Sequence, residues 1–357
     1  MTEPGRTPLT YAAAGVDLDA REATAKRFGA IARGTHGPQV IDVPGAFASF
    51  FALGGQYRDP VLVSSTDGLG TKPLLHLAQG TLRLAGHDIV NNNVGDLVTT
   101  GAVPLFFLDY IATNGLPHDL RLELVEGIAE ACVENGVALI GGETADMPDI
   151  YREGDFDIAG FVVGVVERDQ MIDGSTIAPG DLLVALPSNG LMTNGYSLAR
   201  EVWALGKGLG EDHDREVLSL RPEELGGRSI GEALTAPHPA FAPVLRPALP
   251  YLKGIAHITG GGIPGNLSRI LRDRVAAIID PSTWTVPGLF ALIQREGGIE
   301  DAEMFRTFNM GVGVIAAVSP DDVDAVLAAV PGSWRIGEVV ARDDAADAPV
   351  RGIPLAD

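Results

Sequence analysis

The sequence holds a single cysteine, Cys132, in 357 residues. That excludes an intrachain disulfide and any metal site built from several thiolates. Basic residues are also scarce: 26 lysines and arginines stand against 47 aspartates and glutamates, a formal net charge of −21. Such a surface repels nucleic acid and anionic membranes, so neither is expected as a partner. No run of eighteen or more apolar residues occurs and no membrane span is expected, nor do the first thirty residues carry an apolar stretch suited to a signal peptide. The expected location is the cytoplasm. HExxH, a Cys/His pair and the GxSxG elbow are missing, which sets aside zinc and serine-hydrolase chemistry. A phosphate loop is missing too. In "STDGLGTKPL" (65–74), Thr71 separates Gly70 from Lys72, and no glycine lies five residues before Gly70.

What is present is a well-buried chain, 46% hydrophobic and only 20% charged, long enough for two domains. Apolar runs at 60–65, "PLFFLDYIAT", "VALIGGETAD" and "FDIAGFVVGVVE" read as strands. Residues 85–102 and "PHDLRLELVEGIAEACVENG" read as helices, the latter ending at Gly136. Cys132 continues the four-residue repeat of Leu120, Leu124 and Ile128, so core packing is its expected role. The clearest break is "DGSTIAPGD" (173–181). It divides the chain into residues 1–173 and 174–357, each interleaving strands and helices: an α/β (α+β-like) architecture of two domains.

Four stretches share one design, a strand running into a glycine-rich polar turn: "STDGLGTK", "IGGETADMP", "PSNGLMTNGYS" and "HITGGGIPGN". Glycines let backbone N–H groups approach an anion, and four such turns in one chain favour phosphate binding. Asp67 cannot attract phosphate itself but suits a cation that bridges phosphates, with Lys72 as a direct positive charge; the plainer alternative is a turn cap and a solvated lysine. Asp88, Asn92 and Asp96 fall on one helix face, as a Mg²⁺-binding stripe or a solvated one. Glu143 adds an oxygen ligand. His257 opens the "HITGGG" turn, where it suits phosphate contact or acid–base work, or simply packs at a strand end. The residues alone thus describe a two-domain enzyme for a Mg²⁺-bound nucleotide and an anionic substrate.

The ordered set "AGVDLDA", "VLVSSTDGLGTK", "FFLDYIA", "LIGGETADMP", "TNGYSLAR", "HITGGGIPGNLSRIL" and "TFNMGVGV" closely resembles the phosphoribosylformylglycinamidine cyclo-ligase family, from about residue 11 to about 340. The resemblance implies ATP- and Mg²⁺-dependent closure of formylglycinamidine ribonucleotide to aminoimidazole ribonucleotide, a step of purine biosynthesis. It implies a homodimer whose first domains pair their strands in a barrel-like interface, and a second domain with a mixed sheet. By position, Asp67, Gly68, Gly70, Thr71 and Lys72 match the nucleotide-phosphate and metal segment, and Asp96 and Glu143 match further metal-site acids. Asn194 belongs to the "NGYSL" turn that helps bind the nucleotide. His257, with Gly260, Gly261 and Gly262, matches the turn expected at the substrate phosphate; His257, Asp67 and Lys72 are the expected catalytic set. Other outcomes remain open: a superfamily enzyme with another acceptor, or a nucleotide-binding scaffold of low activity.

Three departures from the family pattern stand out. Met192 occupies the place of the usual histidine two residues before Asn194, and restoring that histidine is expected to leave activity equal or raise it. Gly95 makes "VGD" of the usual "VND". The N-terminal glycine-rich stretch is reduced to "DVPGAFAS" (42–49).

Overall fold

The computed structural model describes residues 18–355 except 44, 45, 47 and 345. The motif at 14–20 and the stretch at 42–49 therefore lie partly outside the described residues. In the first half, α1 (Leu18–Arg33) precedes β1 (Val40–Ile41), β2 (Phe50–Phe51) and β3 (Pro60–Gly68). There follow α2 (Lys72–Gln79), α3 (Leu82–Val98), β4 (Val103–Thr113), α4 (His118–Asn135), β5 (Ala138–Asp146) and β6 (Phe156–Glu167). The second half opens with β7 (Leu182–Pro187), α5 (Tyr196–Val202), α6 (Glu211–Ser219), α7 (Ile230–Leu234), α8 (Phe241–Leu245) and β8 (Leu252–His257). It closes with α9 (Gly262–Leu267), β9 (Val275–Ile279), α10 (Gly288–Gly297), α11 (Asp301–Thr307), β10 (Val312–Val318), α12 (Val323–Ala329), β11 (Trp334–Ala341) and β12 (Val350–Arg351).

Among the described residues the strands form a two-stranded β1–β2 pair and two larger sheets. The first large sheet has the order β3-β6-β4-β5, the second β12-β9-β11-β7-β10-β8. Both are mixed: β4 pairs with β5 in parallel, as β12 does with β9, and the other pairings are antiparallel. β3, β4 and β5 consequently run the same way, so their C-terminal ends lie at the same end of the first sheet, where ligand crevices form in α/β sheets.

One face of the first sheet is covered by α3 and α4, whose Ile89, Val94, Leu97, Leu124, Ile128 and Cys132 pack with Phe107, Ile158 and Val162. The two helices cross closely because Gly86 and Gly127 face each other's backbone; a β-carbon on Gly86 would fall 2.4 Å from the backbone nitrogen of Ile128. The opposite face exposes Leu62, Val103 and Phe161. The core around α3 continues into the second half through Met192, Phe241, Leu245 and Ile255, so the two halves share one apolar seam. A second core lies around Leu183, Ile263, Phe290 and Ile315.

Two short helices follow the glycine turns. The segment after Gly70 is helical, because Pro73 in the first turn of α2 fixes φ where no N–H is needed. The helix after Asn194 is short: α5 begins after Gly195 at φ 82° and ends at Val202.

Candidate active site

α3 lies between the halves, and its polar residues tie one to the other. Asp67, near the end of β3, accepts from the backbone N–H of Gly68 at 2.7 Å on Oδ1 and from Asn92 Nδ2 at 3.0 Å on Oδ2. Asn92 Oδ1 accepts from Thr193 Oγ1 at 2.8 Å, and Thr193 Oγ1 also lies 3.3 Å from Asn194 Oδ1. The Asn194 amide borders the glycine turn: a β-carbon on Gly260 would sit 3.4 Å from Asn194 Nδ2. In that turn Gly261 and Gly262 take φ of 99° and 60°, which bends the chain from β8 into α9. His257 ends β8, with Nδ1 2.8 Å from Asp96 Oδ1. The geometry therefore gathers Asp67, Asp96, Asn194, His257 and the Gly260–Gly262 turn along one wall. Gly70 is exposed at φ 56°, and the adjoining Thr71 Oγ1 is buried with no hydrogen-bond partner.

Lys72 is not on that wall, which corrects its reading as a phosphate-binding or solvated group. Its side chain is fully buried. Nζ lies 2.7 Å from Asp88 Oδ2 and donates to the carbonyls of Met192 at 2.7 Å and Ala236 at 2.8 Å. An ammonium has three N–H groups, and here all three are used. Asp88 leaves the expected Mg²⁺ stripe for the same reason, since Oδ2 also meets His76 Nε2 and Oδ1 accepts from the backbone N–H of His238. Burial alone would raise its pKa, but the Lys72 charge and the His76 contact hold the carboxyl below its ordinary range.

Met192 is buried, with φ of 60°, and its carbonyl accepts from both Lys72 and Tyr196 Oη. Its thioether packs in the shared seam. Burial adds a stability cost to a histidine here. Met192→His should lower stability by roughly 1–3 kcal/mol by leaving imidazole polar atoms without water or partners. Thermal unfolding of that variant checks this; a melting temperature equal to the parent's would show that the seam accommodates an imidazole.

Glu143 stands apart from Asp67 and Asp96. In the cross-strand register Asp67 aligns with Gly160, Asp109 and Gly142, so three strand spacings, about 14 Å, separate β3 from β5. Within one chain the three expected metal acids do not form one cluster. Among the described residues no three His, Cys, Asp or Glu side chains group to hold a metal ion.

Glu143 instead lines a cavity of about 740 Å³ between α1, α4 and the ends of β4 and β5. Phe28, Ala32, Val125 and Leu139 form apolar wall, and Gly141, Gly142 and Asp109 line its floor. Arg121 reaches Asp146 at its mouth, with Nη2 2.5 Å from Oδ1. Asp109 went unremarked as a site residue in the sequence, although a carboxylate inside "FFLDYIA" is itself a signal of a special environment. Burial pushes its carboxyl up to about 7. A carboxyl whose folded pKa is raised binds its proton more tightly when folded, so stability falls as pH rises between about 4 and 7. Asp109→Asn should thus stabilise the protein above pH 7, by up to roughly 4 kcal/mol, and make no difference below pH 4. Denaturant titrations at pH 4 and 8 measure it; equal effects at both would place Asp109 in water.

The chain matches two family models: "AIR synthase related protein, N-terminal domain" over residues 54–166 and "AIR synthase related protein, C-terminal domain" over 178–347. It is 44% identical over 344 residues to the phosphoribosylformylglycinamidine cyclo-ligase of Sorangium cellulosum, covering 94% of this chain and 97% of that one. The protein of that name from Thermoanaerobacter sp. is 43% identical over 338 residues, 93% and 98% of the two chains. Among solved structures, thiamine-monophosphate kinase from Stenotrophomonas maltophilia superposes with a TM-score of 0.65 at 18% identity, covering 93% and 96%. The hydrogenase maturation protein HypE in complex with ATP gives 0.63 at 18%, covering 91% and 90%. At that identity these two structures speak for the fold alone.

Proposed function

The chain belongs to the AIR synthase related family, and from that premise we propose that it closes the ring of formylglycinamidine ribonucleotide, using ATP to form aminoimidazole ribonucleotide, ADP and phosphate. The formyl oxygen is a poor leaving group until it takes the γ-phosphoryl of ATP. The substrate's own amine nitrogen then attacks that carbon, and the C–O bond breaks to release phosphate. Since the attack is intramolecular, the protein's work is to orient, to neutralise charge and to exclude water.

The observation that carries this reading is the hydrogen-bonded wall from Asp67 through Asn92 and Thr193 to Asn194. It runs from the Asp67 turn of one half to Asn194 of the other, whose amide borders the Gly260–Gly262 turn. Asp67 is exposed and its carboxylate has lone pairs beyond those used by Gly68 and Asn92. Asp96 keeps 38% of its side chain exposed. Hard oxygens, few in number, suit a Mg²⁺ that arrives with nucleotide phosphates, because Mg²⁺ is usually held by one or two carboxylates plus phosphate and water. Asp67 and Asp96 would hold it, and it would supply charge neutralisation at the transferring phosphoryl group. The unpartnered Thr71 hydroxyl and the Gly70 backbone suit phosphate oxygens. The Gly260–Gly262 turn suits the substrate's 5′-phosphate. His257 is placed to act on this site through Asp96.

The adenosine half of the nucleotide suits the cavity beside Gly142 and Glu143, whose walls are apolar and whose floor carries a few polar groups. Glu143 and Asp67 lie on opposite edges of the first sheet. A second copy that closes this sheet into a barrel would bring the β5 edge of one protomer toward the β3 edge of the other. It would also cover Leu62, Val103 and Phe161, and a homodimer is accordingly the proposed assembly. The division of the chain at residues 173/174 is proposed on the same footing, with a cytoplasmic location. No helix among the described residues is long and apolar enough to cross a membrane.

The test is turnover of purified protein with ATP, Mg²⁺ and formylglycinamidine ribonucleotide, with its mass in solution measured by light scattering. ADP and aminoimidazole ribonucleotide should appear in equal amounts. ADP without the ring product would assign another acceptor, and bound ATP without either product would make the protein a scaffold. A monomer with full turnover would remove the barrel.

A further inference from the structure

Resting on that reading, but concerning residues that it leaves without a role, we infer that His238 is a positioning residue. It accepts a hydrogen bond from His257 Nε2–H and so holds the His257 ring against α3, with Nδ1 on Asp96, in a seat left open by Gly95.

The direction of the His238–His257 contact follows from their surroundings. His238 Nδ1 lies 2.9 Å from the carbonyl of Pro239, which can only accept, so this nitrogen carries the proton. Burial first, and then the neighbouring His257, push the His238 pKa down to about 3, so its other nitrogen stays a lone pair. That nitrogen, Nε2, is 3.0 Å from His257 Nε2. Two facing imidazole nitrogens at this distance need one donor, and only His257 can supply it. Both nitrogens of His257 must then carry protons, Nε2 donating to His238 and Nδ1 donating to the Asp96 carboxylate, which only accepts, at 2.8 Å. At 5% exposure the ring has no nitrogen left for a phosphate or a reacting atom. It meets the site only through the carboxylate of Asp96.

Gly95 makes this placement possible. A β-carbon there would lie 2.7 Å from His257 Cε1 and 3.1 Å from Nε2, closer than packed atoms sit. Any side chain at this position would have to displace the ring from where it is. His238 is itself anchored. Its N–H donates to Asp88 Oδ1 and its carbonyl accepts from Asn91 Nδ2, both at 2.7 Å. The Phe241 ring stands edge-on to both imidazoles, with centroids 5.5 and 5.7 Å away. Gly95, which departs from the family pattern, and His238 thus belong to one device, a clamp that fixes the aim of Asp96.

The experiment uses full-length protein without ligand for imidazole ¹⁵N NMR, and the same protein for steady-state kinetics. In the parent, His257 should show a protonated Nε2 in slow exchange with water. His238→Leu removes the acceptor, so that signal should be lost and kcat should fall roughly 10- to 100-fold. KM for formylglycinamidine ribonucleotide should stay within about twofold, since no substrate contact is removed. His238→Gln offers a carbonyl oxygen in its place and should restore the signal and bring kcat to within about threefold of the parent. Gly95→Ala attacks the clamp from the other side of the ring. It suits a helix better than glycine does, so it should reproduce the loss in a stably folded protein. Parent-like kcat and unchanged His257 resonances in His238→Leu and Gly95→Ala would overturn the assignment, as would a parent whose His257 Nε2 carries no proton. If the parent lacked ring-closing activity, the NMR measurement would still test the clamp by itself.

Discussion

Lys72→Met is expected to lower the melting temperature by roughly 10 °C, the consequence of losing about 3–5 kcal/mol. Methionine nearly matches the length of lysine but has no charge and no donors. The Met192 and Ala236 carbonyls would lose their Nζ partner, and Asp88 would keep a buried carboxylate without its cation. The loss has a pH signature. Asp88 is held below its ordinary pKa in the folded state, so its contribution is present above the unfolded value of about 4 and fades as pH falls through the lower folded one. The parent and Lys72→Met should therefore converge in stability toward strongly acidic pH. Differential scanning calorimetry of both proteins, at neutral pH and near pH 3, measures the two effects. A variant that melted with the parent and merely lost activity would return Lys72 to the phosphate.

Asp67→Asn carries the other large effect, in the opposite sense. Asparagine can still accept from the Gly68 N–H, and Asp67 is exposed, so the melting temperature should move by less than about 2 °C. Mg²⁺-dependent ATP turnover should fall by roughly 10³-fold, because a neutral amide binds a hard divalent cation poorly. Circular dichroism with coupled ADP detection separates the two readouts. Wild-type turnover in the variant would remove Asp67 from the metal role. Lys72 and Asp67, five residues apart in one motif, are thus expected to fail in different ways, one by unfolding and one by inactivity.

The strands with the strongest patterns are legible in the sequence. β4, β5 and β6 read directly from their apolar runs, and α4 from its four-residue repeat and Gly136, which caps it at φ 71°. α2 is less legible, since it is only eight residues long and follows the glycine turn without a capping side chain. A proline in a first turn is also a helix start, and that signal was available. The residues of α3 were the hardest to assign. Spacing put Asp88, Asn92 and Asp96 on one face, yet each meets a different neighbour: Lys72, Asp67 and His257 respectively. A helix packed against both halves buries most of its faces, so periodicity reports its contacts poorly. His238 carried no local signal at all, since its partners come from α3 and β8, far away in sequence. Met192 was noticed as a departure, but its burial depends on the turn that hands its carbonyl to Lys72.

The Lys72 cage has a temporal side. Asp88 follows the lysine closely in the chain, but Ala236 follows it by 164 residues. At a synthesis rate of roughly 5–20 residues per second, the first half waits on the order of 10–30 s for the carbonyl that completes the cage. Throughout that interval Lys72 keeps Asp88 but lacks both of its carbonyls, Asn91 Nδ2 lacks the His238 carbonyl and Asn92 Oδ1 lacks Thr193, and the apolar flank of α3 that meets Phe241 and Leu245 lies uncovered. The nascent first half is therefore a natural client for a chaperone, and the two halves mature together, when the second one arrives.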